Sequence, residues 1–525
     1  MDSIQNNIMQ ITAFKYATIV ALGGFIFGLD AALISGTVKF ISEQFNLSDI
    51  QIGMVVSAPG FGVLLALPLA SILADRYGRK RTLQLIAGLY LISAFLSAIA
   101  PNFMSLVGAR FIGGLAFTSI TLASMYIGEI APTKIRGKLV ATTQINIVIG
   151  LSAAYFINYL LLKASSSGAG WVASLGIEDN IWRWMLAAEI IPTIVWLILL
   201  RSIPRSPRWL LLVSKEDEAR RVLKEILPAE SVDLEVEQIL ASFEDKVGKQ
   251  SLLNQLKTLF SPALRTALVI GLVFAIVQQI TGINAILFYA PTVFEQLGIG
   301  TDAAFMQAVF VGIISLIFTI LALTCIDRIG RRPMTLWGLL WAVSSLLVCA
   351  YGFHNSNYSL STESLSNLPQ NLDGTKLKSI VNVVYDSDIL FKEALTETLG
   401  QEVARTHSSE LLQLAGKIPS RLIFFGILSF IAAFQFSVGP VMWVVFSEIY
   451  STKIRGVAIP TVALVTSITS YFVQQFFPWQ LSNMGARDIF LFYAVSAGIG
   501  LIILYKILPE TKGKTIEEIE RSLRR

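Results

Sequence analysis

The sequence predicts an all-α integral membrane protein, with twelve transmembrane helices in two pseudo-symmetric six-helix bundles joined by a small cytoplasmic helical linker domain. Three observations predict it. Of the 525 residues 54% are hydrophobic and only 15% charged, against about 25% charged in soluble domains, and mean hydropathy is +0.65. Twelve segments are apolar over the roughly 20 residues that a hydrocarbon core of about 30 Å requires of a helix. Two charged motifs also recur in the same order in each half of the chain.

In round boundaries the segments are 15–36, 51–74, 82–100, 103–127, 139–162, 182–200, 264–290, 304–325, 334–354, 420–447, 457–480 and 488–508. The first is too long, and too acidic in its flank at Asp2, for a cleaved signal peptide, so it is expected to stay in the membrane. Basic residues orient the set. The links after segments 2, 4, 8 and 10 carry Arg76, Arg79, Lys80 and Arg81; Lys134, Arg136 and Lys138; Arg328, Arg331 and Arg332; and Lys453 and Arg455. The alternate links are mixed or acidic, with Lys39, Glu43 and Asp49, then Glu178 and Asp179, then Glu295 and Asp302. The basic links are therefore expected in the cytoplasm, together with both termini of a multi-pass protein of the plasma or bacterial inner membrane.

The repeat sets the domain organisation. DRYGRKR from Asp75 recurs as DRIGRR from Asp327, an offset of 252, and EIAPTKIRG from Glu129 recurs as EIYSTKIRG from Glu448, an offset of 319. Residues 1–200 then form the N-terminal bundle, 201–263 the linker, 264–508 the C-terminal bundle and 509–525 a cytoplasmic tail. The 67-residue difference between the offsets is the polar stretch 355–419, an extracellular insertion that reads either as a small helical cap or as a disordered loop. The amphipathic linker (KEDEARRVLKEIL, then DLEVEQILASFEDKV) reads as two or three short helices.

Composition excludes several classes. Cys325 and Cys349 lie in apolar runs and His354 and His407 lack ligand spacing, so neither a disulfide framework nor a metal site is expected. The net charge of +5 is concentrated in the links, which orient the chain in a bilayer and do not form a nucleic-acid surface. No nucleotide motif is present, so no cofactor and no enzyme activity are expected.

Asp30 lies in the outer half of segment 1, where an ionised carboxylate costs about 2.5–3.5 kcal/mol. It reads as a site that binds and releases a proton, or as half of a static ion pair. Arg110, the basic residue inside segment 4, is its expected partner. Glu189 in WRWMLAAEIIP is a second buried carboxylate, either another proton site or an anchor near the cytoplasmic charges. In segment 7, QQITGINAILFYAP places Gln278, Gln279, Asn284 and Tyr289 around Gly282 and Pro291. Amides suit the hydroxyls of an uncharged polyol, and the glycine and proline let the helix break where it lines a cavity; the alternative is polar glue between helices. Segment 10 offers Gly439 and Pro440 as a joint and Trp443 as a residue that can close over a ligand. Gly24 and Gly28 permit close helix approach. Of the repeated motifs' charges, Asp75, Arg79, Glu129 and Arg136 in one half and Asp327, Arg331, Glu448 and Arg455 in the other, Asp75 is expected to satisfy a following helix N-terminus or Arg79 and Arg136, with the second half repeating this; as a cytoplasmic gate, pairs between bundles are expected to form when the inner side is shut and to break when it opens.

At these residues the chain resembles the sugar porter family of the major facilitator superfamily. The resemblance rests on FGLDAALISG, DRYGRKR, EIAPTKIRGKL, PRSPRWL, QQITGINAILFYAP, GPVMWVVFSEIY and PETKGKT, and it covers the chain outside 355–419. It implies proton coupling at Asp30 with Arg110, and a sugar site at Phe27, Gln278, Gln279, Asn284, Tyr289, Gly439 and Trp443. Leu151, Ser315 and Thr466 stand where the family has amides, which leaves the particular sugar open; Arg205 and Ser71 also depart from the cytoplasmic motifs. The expectation is a secondary carrier that moves a monosaccharide or polyol with a proton by alternating access, functional as a monomer in the lipid bilayer. The alternatives are an uncoupled uniporter and a sugar sensor, the latter disfavoured by a tail of about 17 residues.

Overall fold

A computed structural model describes residues 2–132, 135–247, 252–368, 372, 374–451 and 454–523. Twelve helices among them are long and apolar enough to cross a membrane: spans 1 to 6 are Met9–Phe45, Asp49–Tyr77, Arg79–Ala98, Phe103–Ile130, Gly137–Ser165 and Ile181–Leu199. Spans 7 to 12 are Arg265–Phe288, Thr301–Ile329, Arg331–His354, Ser420–Ile449, Arg455–Asn483 and Ala486–Ile507. Short links are fixed by local caps. Ser48 accepts from the Gln51 backbone at 3.4 Å while the Gln51 side chain accepts from the Ser48 backbone N–H at 2.9 Å, so only three residues separate the end of span 1 from the start of span 2. Asn102 caps span 4 in the same way.

Four spans are interrupted. Span 7 breaks at Gly282, whose φ of +82° and contact with the Tyr493 ring both require the missing Cβ, and it turns again at Tyr289 before Ala290–Glu295. Span 10 divides into Ser420–Phe436 and Val438–Ile449. The break precedes the expected Gly439–Pro440 joint, because the Pro440 ring excludes the carbonyl of Phe436 one turn earlier, whereas in the first turn of a new helix its lack of an N–H costs nothing. Span 4 breaks between Ala116 and Ser119, and span 6 between Ala187 and Ile190, next to Glu189. Span 1 lies directly on span 5: a Cβ on Gly28 would overlap the Ile147 carbonyl, which is the close approach expected of Gly24 and Gly28.

Among the described residues the linker contains four helices, Pro207–Leu212, Glu216–Ile226, Ala229–Val247 and Leu252–Leu259, where two or three are expected. Its apolar faces (Leu210, Leu223, Ile226) pack with Ala13, Ile127 and Ile130 of the first six spans. The insertion is a folded cap. A two-residue antiparallel pair, Asn357–Tyr358 with Gly416–Lys417, closes its base, and helices Asp388–Leu399, Gln401–Thr406 and Ser408–Ala415 surround a separate core that includes Leu360, Leu377, Phe391, Leu395 and Leu411.

Polar contacts hold the two halves together at the end that carries this cap. Lys39 Nζ donates to Thr301 Oγ1 at 2.9 Å and lies 3.8 Å from Glu295, and Lys163 pairs with Asp302 at 2.6 Å. Ser57 donates to Gln475 Oε1 at 2.7 Å, and Gln475 Nε2 donates to the Ile50 carbonyl at 2.9 Å. Deeper in the bundle Ser152 reaches the Gly312 carbonyl at 2.8 Å and Tyr155 that of Leu287 at 2.6 Å.

Candidate functional site: a charged cluster and an amide row

In the first half, spans 1, 4 and 6 bring three ionisable side chains into the interior. Arg110 Nη1 donates to Asp30 Oδ1, and each residue is 2% exposed. The expected pair therefore forms. Among the described residues Arg110 Nε has no hydrogen-bond partner and Asp30 Oδ2 accepts from no donor side chain or backbone N–H. Glu189, 3% exposed, lies within electrostatic reach of both, its carboxyl placed to hydrogen-bond that of Asp30 when one of the two carries a proton. The alternative placement beside the charges at the membrane edge is thus not what forms: the break in span 6 sets Glu189 against Asp30 and Arg110. Tyr90 borders the cluster, its hydroxyl 3.2 Å from Ser119 Oγ. Two carboxylates and one guanidinium leave one uncompensated negative charge, and a single proton on either acid makes the group neutral. Phe27 is half-buried one helical turn away, edge-on to Phe117 with ring centroids 4.7 Å apart.

In the second half the break in span 7 lines up neutral groups. Gln279 Nε2 donates to Gln278 Oε1 at 2.5 Å, and Asn284 Nδ2 donates to Gln279 Oε1 at 2.7 Å and to Ser470 Oγ at 2.7 Å. Gln474 Nε2 donates to the same Ser470 oxygen at 2.7 Å. Gln278 and Gln279 are buried, and Asn284 and Ser470 half-buried. Trp443 stands on span 10 at 44% exposure, edge-on to Phe446 with centroids 5.8 Å apart, while Gly439 packs on the Phe434 ring. Tyr289 is 1% exposed and its hydroxyl donates to the Gln474 carbonyl at 2.9 Å, so it ties span 7 to span 11 and its one hydrogen is committed there.

The profile of the family described as "Sugar (and other) transporter" matches residues 16–367 and 403–523. The chain belongs to this family. The transporter is 30% identical to the arabinose-proton symporter of Bacillus subtilis (strain 168), over 95% of its length and 92% of the relative's. It is also 30% identical to the D-xylose-proton symporter of Escherichia coli (strain K12), over 97% of its length and 95% of the relative's. Among solved structures, the inward open conformation of the E. coli xylose transporter superposes with a TM-score of 0.74 at 27% identity, covering 97% of this chain and 99% of that one. A crystal structure of D-xylose-proton symporter gives 0.67 at the same identity, covering 96% and 99%. The matched ranges leave out 368–402, inside the insertion.

The transporter's repeated motifs pair within each half. Arg79 bridges Asp75 at 3.0 Å and Glu129 at 2.9 Å, all in the first half, and Arg331 bridges Asp327 at 3.0 Å and Glu448 at 2.8 Å, all in the second. These charges clamp each half internally, because the tight turns at Gly78 and Gly330 place each arginine one turn from its own aspartate. Arg455 donates to the Tyr450 carbonyl at 3.2 Å; the side chain of Arg136 lies outside the described residues. Each cluster also captures a downstream segment: Ser206 of PRSPRWL donates to Glu129, and Thr511 of PETKGKT donates to Glu448 at 2.5 Å. The repeat thus extends to the segments that follow spans 6 and 12.

Sequence reading missed Ser470 and Gln474. The available signal was their spacing of four within span 11, which puts both on one helix face.

Proposed function

We propose that the chain is a secondary transporter that couples entry of a monosaccharide or related polyol to entry of a proton, by alternating access of its two halves. The observation that carries this reading is the buried cluster of Asp30, Arg110 and Glu189, a group one proton short of neutrality inside an apolar bundle. Protonation of Asp30 weakens its hold on Arg110 and frees span 1 from span 4, a local change suited to shifting the equilibrium between two packings. The amide row of span 7 together with Trp443 receives the sugar, and the breaks in spans 7 and 10 let those residues move as it binds. The similarity to the arabinose-proton and D-xylose-proton symporters supports the same reading. A uniporter with a static ion pair is less well supported, because a second buried carboxylate, Glu189, stands against Asp30 and Arg110 and leaves the group one proton from neutrality.

The cap end faces outward and the linker end the cytoplasm, as the arginine-rich links require. The polar contacts at the cap end then close the outer side, giving an inward-facing state. Each chain holds a complete site, so a monomer suffices. The test is uptake of labelled L-arabinose, D-xylose and D-glucose into proteoliposomes with and without an inward proton gradient. Accumulation of at least one of them, collapsed by a protonophore, is expected; gradient-independent equilibration of all three would favour the uniporter. Labelling of a Ser364→Cys variant by an impermeant thiol reagent on intact cells checks the orientation, and labelling only after lysis would reverse it.

A further inference from the structure

We propose that the insertion works in the transport cycle as a strap on the outer gate, with Lys392 and Gln413 as positioning residues that hold residues 295–302 in the closed arrangement. The inference rests on the carrier reading and the orientation given above. It starts from one short segment with two sets of neighbours. After the turn at Tyr289 and the helix Ala290–Glu295, the chain crosses the outer end of the second half into span 8. On one side this segment meets the first half, Glu295 and Thr301 with Lys39 of span 1 and Asp302 with Lys163 of span 5. On the other it meets the cap. Lys392 Nζ donates to Gln296 Oε1 at 3.3 Å, a Cβ on Gly300 would lie 3.2 Å from the Gln413 amide nitrogen, and one on Gly298 would lie 3.5 Å from the Leu412 carbonyl oxygen. Outer opening requires the contacts with Lys39 and Lys163 to part, so a support that pre-orders the segment favours their re-forming.

The cap is built as such a support. Lys392 is braced by Asp388 at 3.0 Å, and Asp388 lies against the turn between spans 11 and 12, where a Cβ on Gly485 would come within 2.8 Å of its Oδ1. Leu412 and Gln413 stand on the helix Ser408–Ala415, which contributes Leu411 and Leu412 to the cap's own core. Ile418 packs on both that core and the core of the bundle. The cap is thus anchored on the second half and leans on the gate segment from there. It faces the first half across a polar cavity of about 160 Å³ whose lining includes Lys39, Glu295, Thr301, Glu410 and Gln413. At about 30 Å³ per water this seam has room for about five waters, so it can hydrate as the gate opens while the grip on Gln296 and Gly300 persists. The helix Asp388–Leu399 falls within 368–402, outside the ranges matched by the family profile, so the strap is an addition of this chain to the shared carrier.

A carrier that rests with its outer side shut shows an affinity for external sugar reduced by the fraction that is open. Releasing the strap raises that fraction, so apparent affinity should rise at the outer face and fall at the inner one. The experiment is counterflow of labelled D-xylose, D-glucose and L-arabinose by the full-length protein in right-side-out and inside-out vesicles. Lys392→Met combined with Gln413→Ala is expected to lower the half-saturating concentration outside by about 2- to 10-fold, the range for one hydrogen bond. Inside, the value should rise by a smaller factor, because the inward-facing population is the larger one. Replacing 360–414 by an Asn-Gly turn should shift both values further; Ser359 and Ala415 already pair through their backbones at 2.9 Å, so the ends close without moving spans 9 and 10. With Lys39→Ala and Lys163→Ala present, either change should add nothing, since the strap acts through the contacts of those lysines. Unchanged values, parallel shifts at both faces, or full additivity with the lysine variants would overturn the strap and leave the carrier standing; a lowered melting temperature alone would reduce the cap to a stabilising role and overturn it equally. Opposite shifts with the faces exchanged would uphold the strap and reverse the orientation. Absence of saturable counterflow in wild type would overturn the carrier reading and the strap with it.

Discussion

The two halves share an architecture and differ in what they bury. The first encloses charge, in Asp30, Arg110 and Glu189 on spans 1, 4 and 6; the second encloses neutral amides and hydroxyls, in Gln278, Gln279, Asn284, Ser470 and Gln474 on spans 7 and 11. Each arrangement sits next to a broken helix, span 6 at Glu189 and span 7 at Gly282. Buried carboxylates change state with one proton, whereas amides do not titrate in the accessible range, so one half can read the proton gradient while the other reads hydroxyl geometry. The repeat thus allows two functions to be assigned to equivalent scaffolds without sharing a residue.

Breaking the charged half should have the larger effect. Arg110→Ala leaves two carboxylates facing each other without compensation, and loss of one partner from a buried pair costs about 3–5 kcal/mol. The variant is expected to melt at clearly lower temperature in detergent, with partial recovery when Asp30→Asn is added; an unchanged melting temperature would mean that the cluster is solvated and not buried. In the amide half, Gln279→Ala removes the middle of the row and leaves Asn284 with only its Ser470 contact. A loss of about 1–3 kcal/mol in sugar binding is expected by titration, with the pH dependence of uptake unaltered. A shift in that pH profile would deny the separation of roles. Trp443→Ala should have the smallest effect, a few-fold loss of affinity with stability intact, because the ring is 44% exposed and touches mainly Phe446.

Much of this contrast is legible in the sequence, for identifiable reasons. Charges inside apolar spans are costly, so Asp30 and Arg110 stand out and can be paired across 80 residues of chain. Gly282 marks the break in span 7 because a positive φ against the Tyr493 ring admits little else. Glu189 is harder to place, since helical period gives a face and not a depth, and the interruption beside it alters both. Ser470 and Gln474 escape because serine and glutamine in a membrane helix commonly satisfy themselves on their own backbone or on a neighbouring helix, and only the three-dimensional partner list separates Ser470 from Thr466 and Thr469. The arginine motifs announce ion pairs, but whether these cross between halves depends on which end is closed, a property of the conformational state that the sequence encodes only as a balance. The folding of the insertion was undecided from sequence because its apolar residues are scattered; the closing pair at Tyr358 and Gly416 is what gathers them.

The division of labour is tested most directly in an Asp30→Asn variant, by comparing sugar counterflow with accumulation against a gradient in the same proteoliposomes. The amide resembles the protonated acid, so the account predicts counterflow and sugar affinity near wild type with accumulation abolished. Accumulation driven by the proton gradient at wild-type level in that variant would contradict it.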